Sequence, residues 1–213
     1  MISQPTPLVY AITDRRILPR KSASELADLR EFIASAIAAE VDLLQIRERD
    51  LPARDLLWIA DAAAEMAAGS KTKILINDRS DIAACAAVGV HLTTKSIDPT
   101  VVRSVFGHEM LIGASTHSLQ EASAAATAGA DFIVFGPVFE TESKRQYGPP
   151  VGIEQLAKVT SVLGIPVLAL GGIDENNFRR ALGAGADGIA GISLFARADN
   201  LIRVVRTIKQ GAD

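Results

Sequence analysis

Eight short runs of branched apolar residues punctuate this chain, at 8–12, 43–47, 74–77, 89–92, 110–114, 132–135, 166–170 and 188–192. A run that is apolar throughout, without polar alternation, describes a strand buried on both faces. Parallel strands joined by crossover helices are the common way to bury both. The segments between the runs carry helical periodicity, and the Ala- and Leu-rich stretches 23–40, 53–68, 119–128, 153–163 and 176–182 supply crossovers of the required kind. The tetrad Ala-Gly-Ala-Asp occurs twice, ending at Asp131 and at Asp187, each time between a helical stretch and an apolar run. A glycine at a helix end followed directly by a strand, used twice, points to iteration of one unit.

Eight βα units in 213 residues fit the lower end of the size range of a (β/α)8 TIM barrel, an α/β fold, and no linker or composition break divides residues 1–213 into more than one domain. The alternative is a doubly wound open sheet, but no Gly-x-Gly-x-x-Gly follows the first run and the count of eight favours closure. With 48% hydrophobic residues and 22 Lys+Arg against 25 Asp+Glu, the chain lacks the basic field that binds nucleic acid or an anionic membrane surface. No apolar run reaches membrane-spanning length and the start has no signal-peptide core, so a cytoplasmic location is expected. The single Cys85 lies in an apolar helical stretch and reads as a small core residue. The composition leaves room for a homo-oligomer.

Barrel enzymes build their sites at the carboxyl ends of the strands, so the residues just after each run carry the functional reading. In order these are Thr13 and Asp14; Gln45, Arg47, Glu48 and Arg49; Asn77 and Asp78; Thr93, Thr94 and Lys95; Ser115, Thr116 and His117; Gly136, then Thr141, Glu142, Ser143 and Lys144; Gly171 and Gly172; and Gly191, Ile192 and Ser193. Cations, small hydroxyls and paired glycines converging on one rim describe a site for anions. Gly171-Gly172 together with 191–193 matches the phosphate site of many barrels, although left-handed turns alone also call for glycine. Gln45, Arg47 and Arg49 alternate and so point to one side, where the arginines clamp a polyphosphate or pair with Glu48 or Asp78. Asp78 either holds Mg²⁺ or caps the helix that follows. Ser118 and Glu121 form a capping box, which leaves His117 without a structural role and makes it a candidate acid or base. His91, inside the fourth run, and His108, in a loop, read as structural. The stretch 140–151, with Lys144 and Arg145, is long enough to be a functional loop.

The motifs Tyr10-Ala11-Ile12-Thr13-Asp14, Gln45-Ile46-Arg47-Glu48-Arg49, Ile76-Asn77-Asp78-Arg79, Gly89-Val90-His91-Leu92, Ser115-Thr116-His117-Ser118, Phe135-Gly136-Pro137-Val138-Phe139, Thr141-Glu142-Ser143-Lys144 and Gly171-Gly172-Ile173 together resemble the thiamine-phosphate synthase and TenI superfamily, over nearly the whole chain. The resemblance implies small phosphorylated substrates and two half-sites. Gln45, Arg47, Asn77, Ser115 and Lys144 would hold hydroxymethylpyrimidine diphosphate, with Asp78 as ligand to Mg²⁺. Thr141, Ser143, Gly172, Ile192 and Ser193 would hold thiazole phosphate. Two positions depart from the synthase pattern: Arg49 stands where the family has Lys, and Ser96 where it has a second acidic Mg²⁺ ligand, with Lys95 and Asp98 as the nearby substitutes. In the tautomerase branch the acid–base histidine corresponds to His117, and a thiazole-phosphate sensor on the same barrel is a third reading. A phosphate-handling barrel of another pathway, such as one of tryptophan synthesis, fits the late glycines but not the Asn77-Asp78 or 141–144 motifs.

Overall fold

The computed structural model describes residues 6–141 and 149–211. Its strands are β1 (Leu8–Ile12), β2 (Leu43–Ile46), β3 (Lys73–Asn77), β4 (Gly89–Leu92), β5 (Ile112–Thr116), β6 (Phe132–Phe135), β7 (Val167–Ala169) and β8 (Gly188–Gly191). All pair in parallel and in sequence order, and β8 returns to β1 to close the barrel. The connecting helices are α1 (Glu25–Ala38), α2 (Ala53–Ala67), α3 (Ser80–Cys85), α4 (Pro99–Phe106), α5 (Leu119–Thr127), α6 (Gly152–Val162) and α7 (Phe178–Gly183). A single turn, α8 (Ser193–Ala196), and α9 (Leu201–Gln210) complete the wall. No described helix is long and apolar enough to cross a membrane.

Each strand sends alternate side chains to opposite sides. Val9, Ala11, Leu44, Ile46, Ile74, Ile76, Val90 and Ile133 pack outward against the helices in one continuous core. Tyr10, Ile12, Leu43, Leu75, Phe132, Val134, Leu168 and Ala190 fill the barrel interior. Both faces being apolar is the reason the strands show no alternation in sequence. Helix starts are set by side-chain caps: Ser24 accepts from the Ala27 N–H, Asp98 from Thr100, Ser118 from Glu121 and Asn200 from Arg203.

The repeated Ala-Gly-Ala-Asp tetrad has a physical explanation. Gly129 and Gly185 take left-handed conformations, φ +99° and +88°, just past α5 and α7. The aspartate that follows then ties two strands together at the amino end of the barrel. Asp131 accepts from the Ile112 N–H at 2.6 Å and Asp187 from the Val167 N–H at 2.8 Å, and each aspartate N–H donates back to the carbonyl of that same residue. Asp42 does the same to Val9. These carboxylates satisfy backbone donors at the strand starts that no ladder reaches.

Inside the barrel, Tyr10, His91 and Phe132 form a ring cluster with centroids 5.6–6.1 Å apart. Gly113 provides the room for it. A Cβ at that position would lie 2.3 Å from Phe132 Cζ and 2.7 Å from His91 Nδ1. Replacement of Gly113 by alanine is therefore expected to destabilise the protein by about 1–3 kcal/mol, the usual effect of overpacking a closed core. Urea unfolding of the variant checks this, and an unchanged midpoint would show that the cluster has slack.

Cys85 is the exception to the expected core. Ile82, Ala83 and Ala86 take the inward face of the short α3 region, and Cys85 falls outside their arc and is exposed.

Candidate active site

β2 sorts charge across the barrel wall. Glu48, just past the strand end, turns outward and is buried: it accepts from the Thr13 hydroxyl at 2.6 Å and from Arg15 Nη1 at 3.0 Å. Arg15 also reaches Asp50 at 2.7 Å and Glu25 at 3.0 Å. Its guanidinium holds the Asp50 carboxyl down to about 2. The Thr13 oxygen accepts from the Arg47 N–H at 3.0 Å, so this buried network anchors the backbone of the rim. The partner of Glu48 is thus Arg15, and the pairing of Arg47 with Glu48 or Asp78 entertained from sequence is not formed. Arg15 stands right after Thr13-Asp14, but nothing in the local sequence pattern links it to a residue 33 positions on.

Arg47 faces the mouth of the barrel, half-buried, and has no carboxylate within ion-pair distance among the described residues. Burial lowers its pKa first, and neighbouring Arg49 adds to the effect. Asp14 opposes it, but that carboxylate is committed to Arg16 at 2.7 Å. A partly desolvated cation beside like charge is costly unless something anionic arrives. Arg49 is exposed beyond it on the turn after β2.

The polar residues beside Arg47 are organised in advance. Gln45, 1% exposed, donates through Nε2 to Asn77 Oδ1 at 3.1 Å, joining the ends of β2 and β3. Asp78 follows with φ +65°, a left-handed conformation that residues other than glycine adopt at a cost, smallest for Asn and Asp. It does not cap α3: the cap position is Arg79, with no side-chain bond, so the capping alternative is withdrawn. The Asp78 carboxylate stands exposed on the rim.

After β4 the nearby polar side chains are used locally, the one carboxylate among them, Asp98, included. Ser96 Oγ accepts from the Thr93 N–H at 2.8 Å and lies 3.0 Å from the Thr93 hydroxyl, closing the turn. Asp98 is used as the α4 cap, at 2.8 Å from the Thr100 N–H, and Lys95 is exposed. Among the described residues no three His, Cys, Asp or Glu side chains converge as a protein-only metal cage requires. One carboxylate still suits Mg²⁺, which commonly takes one or two from protein and the rest from phosphate and water.

His91 and Ser115, 24 residues apart in the chain, are joined in the structure: His91 Nε2 lies 2.8 Å from Ser115 Oγ, and Nδ1 lies 3.1 Å from the Tyr10 hydroxyl. Burial pushes the His91 pKa down to about 3 and raises that of Tyr10, so both are neutral. His117 stands exposed just past the end of β5, two residues on from Ser115. Its Nδ1 contacts the Gly136 carbonyl, and its backbone N–H donates to Glu121 at 2.6 Å.

Gly171 and Gly172 have φ +98° and +65°, and a Cβ would strike Pro137 at the first and Glu140 O, 2.3 Å away, at the second. Close packing against the 137–140 segment thus requires both glycines. Gly172, Ile192 and Ser193 lie together at the ends of the adjacent strands β7 and β8. Thr141 is described, and Ser143 and Lys144 lie outside the described residues.

A closed parallel barrel whose rim carries Arg47 over Gln45, Asn77 and Ser115, the arginine in no ion pair among the described residues, now has a family context. Residues 9–195 match the family model described as thiamine monophosphate synthase. The chain belongs to this family. A relative from Geobacter sulfurreducens is 47% identical over 186 residues, 87% of this chain and 84% of the relative. The thiamine-phosphate synthases of Roseiflexus sp. and Clostridium botulinum are each 36% identical, over 87% and 91% of this chain and 77% and 92% of theirs. Among solved structures, the thiamine phosphate pyrophosphorylase of Pyrococcus furiosus superposes with a TM-score of 0.82 at 29% identity, covering 95% of this chain and 94% of that one. Of the two departures expected from the sequence resemblance, Arg49 is exposed and Ser96 serves to close the turn after β4.

Proposed function

We propose that the chain is a thiamine-phosphate synthase, a transferase that joins hydroxymethylpyrimidine diphosphate to thiazole phosphate with release of pyrophosphate. The observation that carries this reading is Arg47, a half-buried cation on the rim with its backbone anchored and its charge in no ion pair among the described residues. Departure of pyrophosphate through a loose transition state builds negative charge on the leaving group, and positive charge fixed in advance at that point lowers the barrier. Arg47 and Arg49 would receive the diphosphate, with Gln45, Asn77 and Ser115 directing donors at it and Lys144 joining from the 141–144 segment. Asp78 would hold Mg²⁺, which when bound neutralises part of the charge on the departing pyrophosphate. Thr141, Ser143, Gly172, Ile192 and Ser193 would seat the thiazole phosphate across the mouth, leaving its ring nitrogen to attack the pyrimidine methylene carbon. A cytoplasmic setting fits these small phosphorylated substrates.

The test is to combine purified protein, both substrates and Mg²⁺ and to follow pyrophosphate release against thiamine phosphate formation. Stoichiometric release of the two products is expected, and Asp78→Asn should raise the Mg²⁺ concentration giving half-maximal turnover by about tenfold. An unchanged Mg²⁺ dependence would remove Asp78 as the ligand.

One observation favours a second reading, the thiazole tautomerase of the same superfamily. With Nδ1 of His117 engaged by the Gly136 carbonyl, Nε2 is left as a proton acceptor at the rim. Isomerisation of the thiazole carboxylate phosphate without pyrophosphate release, lost in His117→Ala, would establish that reading in place of the synthase.

A further inference from the structure

Buried below the rim, Tyr10, His91 and Ser115 form a three-membered chain of hydrogen bonds whose proton direction can be worked out. The Tyr10 ring is fully buried, and among the described residues its hydroxyl has one partner, His91 Nδ1 at 3.1 Å. A phenol carries one proton to donate. If Nδ1–H were the donor, the Tyr10 proton would be left buried without an acceptor, which folded proteins rarely tolerate. The phenol therefore donates and Nδ1 accepts. A neutral imidazole has a single N–H, so the proton sits on Nε2 and points at Ser115 Oγ, 2.8 Å away. Ser115 then accepts from below, and its own hydroxyl proton is free to donate. Ser115 is half-buried at the carboxyl end of β5, and strand parity turns it inward like Gln45 and Asn77.

We infer that Tyr10 is a positioning residue: by donating to His91 Nδ1 it fixes the Nε2–H tautomer, which in turn commits the Ser115 hydroxyl to donate toward an anion held at the rim. The tautomer follows from the hydrogen-bond chain alone, whereas the anion at its end rests on the diphosphate reading above. With the phenol removed, Nδ1 loses the hydrogen bond that stabilised the Nε2–H tautomer, and the preference for that tautomer falls. Ser115 can then turn its proton down to His91 Nε2 and away from the ligand. The ring of Tyr10 packs edge-on against Phe132 at 5.6 Å, so Tyr10→Phe retains the packing and removes only the donor.

Two measurements on the full-length protein separate these parts. Long-range ¹H–¹⁵N spectra of the ligand-free protein identify which His91 nitrogen bears the proton. Protonated Nε2 with bare Nδ1 is expected in the unsubstituted protein, and a mixture of both tautomers in Tyr10→Phe. A proton on Nδ1 in the former, or an unaltered pattern in the latter, overturns the inference. The second measurement is the calorimetric Kd of inorganic pyrophosphate in the presence of Mg²⁺ for Tyr10→Phe, Ser115→Ala and the double variant. Each single change should weaken binding by about tenfold, the loss of one hydrogen bond to a charged group, and the double variant should bind no more weakly than Ser115→Ala. Additive losses would mean that Tyr10 does not act through Ser115. Pyrophosphate binding absent from the unsubstituted protein would overturn the diphosphate reading itself, which the tautomer spectra do not depend on.

Discussion

Arg47→Ala is expected to lower the rate of pyrophosphate release by a factor of about 10² to 10³, the usual loss when one fixed donor to a developing negative charge is removed. The same change should leave stability unaltered or slightly raised. The guanidinium is crowded by Arg49, is partly desolvated and forms no ion pair among the described residues, so the folded protein gains little from it in the absence of ligand. This opposition between activity and stability identifies a residue retained for an anion. Arg47→Lys should fall between, since it keeps the charge but loses the paired N–H fork. Turnover measured beside the urea midpoint decides the matter. A variant that unfolds more easily while still turning over would reassign Arg47 to the framework.

The second large effect is on acid stability. The unfolded chain protonates His91 near pH 6.5, whereas the folded protein, with the ring buried among Tyr10, Phe132 and Ser115, takes up that proton only near pH 3. Between those values protons bind the unfolded state preferentially, so stability falls as pH is lowered through the window. From pH 7 to pH 5 the loss attributable to His91 is about 2 kcal/mol, at 1.36 kcal/mol per unit below 6.5. The depressed carboxylates act lower. Asp50, held at about 2 by Arg15, and Asp14, lowered by Arg16, stay ionised in both states above pH 5 and release their contribution only in stronger acid. Urea unfolding at the two pH values should therefore show a slope that His91→Asn flattens. Equal slopes in the two proteins would place the acid sensitivity elsewhere.

The barrel was readable from the chain because its strands are buried on both sides. Every run of branched residues marks a strand, with Leu8–Ile12, Gly89–Leu92 and Phe132–Phe135 agreeing residue for residue. The fifth departs: β5 begins at Ile112, two residues later than expected, and extends through Ser115 and Thr116, whose hydroxyls hide the strand end from a reading based on apolar residues. Parity along β2 turned Gln45 and Arg47 to one side, but Arg49, expected to join them, lies exposed on the turn past the strand. What the sequence could not show was pairing over long separations. Arg15 with Glu48, and Tyr10 with His91 and then Ser115, become neighbours only once the barrel closes. His91 was read as structural because it lies inside a strand, yet the same inward position that buries it carries it beneath the rim. Asp78 and Asp98 show the converse ambiguity. Both residues stand before a helix, but only Asp98 caps one, a distinction carried by the φ of +65° at Asp78 and not by residue type.

Arg47 and Glu48 are neighbours in the chain with opposite fates, one charge open to the mouth and the other neutralised in the wall. Their separation depends on nothing but which residue is odd and which is even. One amino acid inserted near Leu43 would exchange them, placing an anion at the entrance and setting a second cation against Arg15 in the wall. The first strands of this barrel therefore tolerate substitution far better than a change in length, and natural variation in size is expected to collect in the loops, where it leaves that order intact.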